Sequence, residues 1–194
     1  WDFYNSGNNG RKADFYAADN DADQLVLRDS VGNTVGWLDK SNASGGYEGR
    51  NAGVNWRNDQ PLGTYYWQTK VNATNFTNIK VKSGMAYNYN AYPVYNVEYS
   101  LDGTNWTKLG SMIMPGVKAW TDSTFALPAE ANNKDEVYIR WKADKTSTID
   151  GTASANDGNA ISQIYITGTE KPYDDKTAPK LLATVPAEGA TNAS

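Results

Sequence analysis

The stretch Tyr47-Glu48-Gly49-Arg50-Asn51-Ala52-Gly53-Val54-Asn55-Trp56-Arg57-Asn58-Asp59-Gln60 sets an indole among guanidinium, amide and carboxylate groups. A second stretch, Tyr87-Asn88-Tyr89-Asn90-Ala91-Tyr92, alternates phenol rings with amides. Such mixtures suit a sugar. Its C–H face lies on an aromatic ring, and its hydroxyls take amide, carboxylate or guanidinium partners. Trp56, Arg57, Tyr47, Arg50, Asn58, Tyr87, Tyr89 and Tyr92 are therefore the candidate ligand-binding residues. The first stretch is Gly-rich and reads as a loop, while the three tyrosines, in polar surroundings before a strand, are expected to be exposed. Trp56 stays open between two readings, since a strand ending near Asn58 would equally place it in the core.

Oxygen ligands offer a second chemistry. Asp19-Asn20-Asp21-Ala22-Asp23 carries carboxylates at alternate positions, a spacing that can wrap a loop around calcium. The loop is not an EF-hand, because Gln24 stands where that motif needs Gly and Ser30 where it needs Glu. The acidic loop Asp150 to Asn159, with Asp157 as the candidate ligand, could supply further oxygens. Calcium in a structural role is the cofactor expected from Asp19, Asp21, Asp23 and Asp157, with a solvated acidic turn as the alternative.

Hydrolytic chemistry fares worse. With no His and no Cys, imidazole bases, thiol nucleophiles and thiolate or imidazole metal sites are excluded. Glycoside hydrolysis needs two carboxyl groups flanking one bond. Of Glu48, Glu98, Glu130 and Glu136, only Glu98 lies mid-strand, and no partner for it is visible. No Ser-x-x-Lys motif replaces the missing histidine. No catalytic residue is assigned.

These side chains need a frame. The 194 residues are 39% hydrophobic and 12% aromatic, with 7 Trp and 13 Tyr, so rings must fill much of any core. Short runs with period-two alternation predict strands at Gln24–Arg28, Thr34–Leu38, Tyr65–Val71, Asn78–Lys82, Val94–Ser100, Val137–Lys142 and Ile161–Thr167. Pro128 to Asn133 could form one helical turn. Asp102-Gly103, between alternating runs, predicts a hairpin turn. The parity of Trp67, Trp106 and Trp141 points them inward. Tyr66, Gln68, Tyr138, Arg140 and Tyr165 share the outward parity and would line one sheet face together if their strands are adjacent. The fold class is all-β, an antiparallel β-sandwich of jelly-roll type.

Residues 1–169 form the sandwich module. Residues 170–177, charged and containing Pro172, read as a linker, and 178–194 as the start of another module. The abrupt start at Trp1 fits a mature secreted product or a piece of a longer protein. A net charge of -4 argues against nucleic acid as a partner. No apolar run approaches the roughly 20 residues of a membrane span.

The runs YYWQTKVNATNFTNIKVKS, YPVYNVEYSLDGTNWTKLG, VYIRWKADKTS and ISQIYITG resemble a jelly-roll module of secreted multimodular bacterial proteins. The module is similar to carbohydrate-binding modules, and its Tyr-Ser-Leu-Asp-Gly-Thr-Asn-Trp hairpin is similar to that of discoidin-like domains. TAPKLLATVPAEGATNAS resembles the opening of a bacterial Ig-like domain. The resemblance implies a non-catalytic module, secreted or at the cell surface, that binds a polysaccharide or glycan and is covalently linked to neighbouring modules. A structural or adhesive surface module is the alternative, and a glycoside hydrolase or lyase the third reading. Exposure of the aromatic side chains separates the first two.

Overall fold

Alternation decides the architecture. In Val137-Tyr138-Ile139-Arg140-Trp141-Lys142-Ala143 every odd position is buried and every even one is half-buried, as a strand with one face on a core requires. The computed structural model describes residues 25–34, 39–41, 52–55, 65–87, 91–147 and 158–172, with the backbone course alone at 39–41 and 52–55. The strands are β1 (Val26–Arg28), β2 (Asp39–Ser41), β3 (Ala52–Asn55), β4 (Tyr66–Val71), β5 (Phe76–Tyr87), β6 (Val94–Ser100), β7 (Thr107–Ile113), β8 (Thr121–Ala126), β9 (Val137–Ala143) and β10 (Asn159–Glu170). They form two five-stranded sheets, in the orders β1-β4-β9-β6-β7 and β2-β3-β10-β5-β8. All the strand pairings are antiparallel. The protein is an all-β antiparallel sandwich, as its sequence predicts.

The core lies between the sheets. Trp67, Val97, Val137, Ile139 and Trp141 come from the first sheet, and Val81, Met85, Ile161 and Ile164 from the second. Trp67 and Trp141 are fully buried, as their parity predicts. Of the two core indoles one is matched, and Trp67 Nε1 has no partner among the described residues. Trp141 Nε1 donates to Ser83 Oγ at 2.9 Å, and that hydroxyl donates to Met112 Sδ at 3.2 Å. A buried donor left without an acceptor would cost about 1–3 kcal/mol.

Three elements depart from the expectations. Tyr165 is outward, but it sits on β10 in the second sheet, opposite Lys82, and so cannot share a face with Tyr66 and Arg140. Ala52–Asn55, inside the stretch read as a loop, is strand β3. Strands β7 and β8 lie outside the predicted set, being polar edge strands with weak alternation. The expected helical turn is present as a short 3-10 turn at Ala129–Ala131. Its Glu130 accepts a hydrogen bond from Tyr99 Oη at 2.5 Å. That hydrogen bond and burial together raise the phenol above its ordinary pKa.

Candidate functional site

Tyr87 and Tyr92, expected to be exposed, are buried at 5% and 7% exposure and belong to the core cluster. Tyr87 is the last residue of β5. The Tyr92 carbonyl accepts from Asn159 Nδ2 at 2.8 Å, and Asn159 Oδ1 accepts from Tyr95 Oη at 3.2 Å. Burial raises the Tyr92 phenol above its ordinary pKa. These rings offer little face to a sugar. Asp19, Asp21, Asp23, Tyr47, Arg50, Trp56, Arg57, Asn58, Tyr89 and Asp157 lie outside the described residues. So do the loop 148–157 and residues 173–194, while Glu170, read as the first linker residue, ends β10.

The strands beside those stretches share one edge. Asn159 pairs with Asn55 on one side and with Tyr87 on the other. The end of β3, the end of β5 and the start of β10 therefore meet at one end of the second sheet, and Trp56 follows Asn55 directly in the chain.

The outer face of the first sheet carries the densest described group of rings and charges. Strand β9 runs between β4 and β6, so Arg140 has Gln68 on one side and Glu98 on the other. Arg140 Nε donates to Glu98 Oε2 at 2.5 Å, both side chains being mostly buried. The Arg140 guanidinium lies 4.0 Å from the centre of the Trp106 ring and 5.3 Å from that of Tyr66. A planar cation with two ring partners and a carboxylate on its Nε makes an ordered cluster. Trp106 is thus not a core residue: it is half-buried on the outer face.

The Asp102-Gly103 turn brings it there. Asp102 Oδ1 accepts from the backbone N–H groups of Thr104 at 2.8 Å and Asn105 at 2.7 Å, and Asp102 Oδ2 accepts from Asn105 Nδ2 at 2.7 Å. The backbone and side-chain donors of Asn105 lead in holding this carboxyl far below the usual carboxylate range. Gly103 has φ 72°, and a Cβ there would meet the Tyr138 ring at 3.4 Å. The hairpin therefore folds back over the sheet, Gly103 against Tyr138 and Trp106 against Arg140.

Tyr138 is fixed from other sides too. Lys70 Nζ lies 5.8 Å from its ring centre, and its hydroxyl donates to Glu136 Oε2 at 2.9 Å. Lys70 pairs with Glu136 Oε1 at 2.7 Å and, with Tyr138, lowers the pKa of that carboxyl. Sequence parity found Tyr66, Tyr138 and Arg140. It missed Trp106, and it left Glu98 unpaired because strand adjacency is not written in a single strand. The described carboxylates of this face, Glu98 and Glu136, are each committed to an ion pair. Among the described residues there is no group of three or more His, Cys, Asp or Glu side chains able to hold a metal. No helix of the described residues is long and apolar enough to cross a membrane, which says nothing of β-barrels.

Several solved structures are similar to this one. The CBM22-2 xylan-binding domain of Paenibacillus barcinonensis Xyn10C shares 12% identity over 82% of this chain and 98% of its own, with TM-score 0.46. The K2 cleaved adhesin domain of Lys-gingipain shares 20% identity over 74% of this chain and 89% of its own, with TM-score 0.47. TmCBM61, solved in complex with beta-1,4-galactotriose, shares 11% identity over 68% of this chain and 81% of its own, with TM-score 0.41. Carbohydrate-binding modules thus stand among the structural neighbours. No protein-family model and no curated protein matches the chain.

Proposed function

We propose that this module binds a polysaccharide without chemical change, through the outer face of the first sheet. The observation that carries this reading is the Trp106–Arg140–Tyr66 cluster, with Glu98 at its edge. Trp106 has one face on the guanidinium and keeps partial exposure for a sugar ring. The half-buried Arg140 and Glu98 beside it supply hydrogen-bond partners. Rings already ordered lose little entropy when a ligand lands on them. In a secreted or surface-bound bacterial protein, such a module would hold its covalently linked neighbours near their polymer and raise the effective concentration.

The test is affinity electrophoresis of the whole chain through gels containing soluble polysaccharides, with Trp106→Ala as the variant. Stacking is worth roughly 0.5–1.5 kcal/mol beyond the buried area, so loss of the ring should weaken binding about tenfold. Equal retardation of a folded Trp106→Ala would place the site elsewhere.

A second reading uses the shared edge at Asn55, Asn159 and Tyr87. Trp56, with Arg57, Asn58, Arg50, Tyr47 and Tyr89, would then form the site, and Trp56→Ala rather than Trp106→Ala would abolish retardation. Calcium at Asp19, Asp21 and Asp23, with Asp157, belongs to the proposal on the strength of ligand type and spacing. If it binds, chelator lowers the melting temperature of the wild type and leaves Asp21→Ala unchanged. Identical wild-type melts with and without chelator would remove the metal from the proposal.

A further inference from the structure

The register of the first sheet aligns Arg28 of β1, Tyr66 of β4, Lys142 of β9, Asn96 of β6 and Ser111 of β7 in one row across all five strands. All five side chains have outward parity; Arg28, Lys142, Asn96 and Ser111 are half-buried, and Tyr66 is buried among them. At strand spacings of about 4.8 Å the row is roughly 19 Å long, enough for several sugar rings. Its charge is one-sided, Arg28 and Lys142 being its charged members. Ser111 Oγ donates to Asn96 Oδ1 at 2.9 Å, which orients the amide and leaves its NH2 to donate. Arg28 Nη1 donates to the Gly32 carbonyl at 2.6 Å, while its buried Nε–H has no acceptor among the described residues. Neither Arg28 nor Lys142 forms an ion pair among the described residues, although both are half-buried.

The contrast with the adjacent rows is direct. There Arg140 is neutralised by Glu98 and Lys70 by Glu136. Two partly desolvated cations without counter-charges among the described residues, in a chain whose net charge is -4, form a local positive strip against the overall sign. A neutral sugar gains little from two cations, whereas an anionic group meets each of them with a charge-assisted hydrogen bond.

We propose that the Arg28–Tyr66–Lys142–Asn96–Ser111 row binds the carboxylate or sulfate groups of an anionic polysaccharide. The inference rests on the polysaccharide-binding reading and narrows its ligand class. Lys142 and Arg28 meet the anionic groups as charge-assisted partners, the Asn96 amide donates beside them, and Tyr66 lies between the two cations.

The experiment uses matched pairs of polymers in affinity gels: polygalacturonate against highly methyl-esterified pectin, and dextran sulfate against dextran. Retardation by a charged member of a pair and not by its neutral partner is expected. Which pair responds separates a carboxylate from a sulfate source. Lys142→Gln should weaken that binding about tenfold, the size of one lost charge-assisted contact. Lys80→Gln, on the other sheet, should leave it unchanged. Raising the salt should weaken the wild type more than Lys142→Gln. Arg28→Gln joins the comparison only if its melt shows that it folds, and Lys142→Gln carries the test without it.

Equal retardation by neutral and charged partners, or an unaffected Lys142→Gln, would overturn the anionic inference and leave sugar binding standing. Binding to none of the four polymers, or to neutral glycans alone in a wider panel, would also overturn it, the former counting against the parent reading as well. Equal retardation by single-stranded poly-dT would show indiscriminate polyanion adhesion and overturn it too.

Discussion

The two sheets show solvent very different outer faces. On the first, Arg140 contacts both Tyr66 and Trp106, and Tyr138 contacts both Gly103 and Lys70, with Glu98 and Glu136 closing the charge. On the second, Lys80, Lys82 and Thr124 stand exposed, and Tyr165 is 46% exposed with Lys82 Nζ 6.0 Å from its ring centre. Both faces consist of outward residues on alternating strands. Among the described residues only the first has a hairpin folded back over it. A ring becomes an ordered platform when it has partners on several sides, and outward parity supplies none of them.

The comparison breaks most plainly at Arg140. Arg140→Ala strands Glu98 in a mostly buried position and unstacks two rings, so a loss of about 2–3 kcal/mol is expected in urea unfolding. Lys82→Ala on the second face should change stability by less than about 0.5 kcal/mol. Equal costs would mean that the first face is no more ordered than the second.

Gly103→Ala tests the folded-back hairpin. It forces a side chain into the left-handed region beside the Tyr138 ring, at an expected cost of about 1–2 kcal/mol and a visibly lower melting temperature. An unchanged melt would show that the turn does not hold the hairpin down. Next in size, Trp106→Ala should cost about 1 kcal/mol of stability through the lost cation–π contact and ring packing. Tyr165→Ala should leave both stability and polysaccharide retardation where they were.

The smallest effect is a pH slope. The Asp102 carboxyl is depressed in the folded state, so the unfolded chain takes up its proton first as the solution is acidified. The contribution of Asp102 is complete above the unfolded value of about 3.9 and declines as pH falls below it. Asp102→Asn should flatten that part of the stability–pH curve. A slope as steep as wild type in urea titrations between pH 5 and 2 would exclude the turn as its source.

Much of this architecture was legible in single strands. Trp67 and Trp141 alternate with polar neighbours and are buried, and the Asp102-Gly103 hairpin is where its residues predict it. Trp106 was not legible, because parity counted through a turn loses its meaning: the bend at 101–105 returns the indole to the outer face. Tyr165 failed for another reason. A sandwich has two outward faces, and alternation does not say to which sheet a strand belongs. The Glu98–Arg140 pair and the donor row depend on which strands are neighbours and in what register, and both are set by contacts far apart in sequence. Tyr87 and Tyr92 looked exposed among asparagines. Strand β5 extends through Tyr87, and Asn159 binds the Tyr92 carbonyl, drawing both rings into the core.

The first sheet ends at β7 and the second at β8, so each sheet has an unpaired margin there. Such margins recruit strands from other molecules unless something blocks them. Between these two stands a ring lodged against bare backbone: a Cβ at Gly110 of β7 would overlap the Phe125 side chain of β8. The glycine lets the two margins close on each other like the halves of a clasp. A larger residue at that position would pry the clasp open. Its cost would be read in the shelf life of concentrated protein, as chains stack edge to edge.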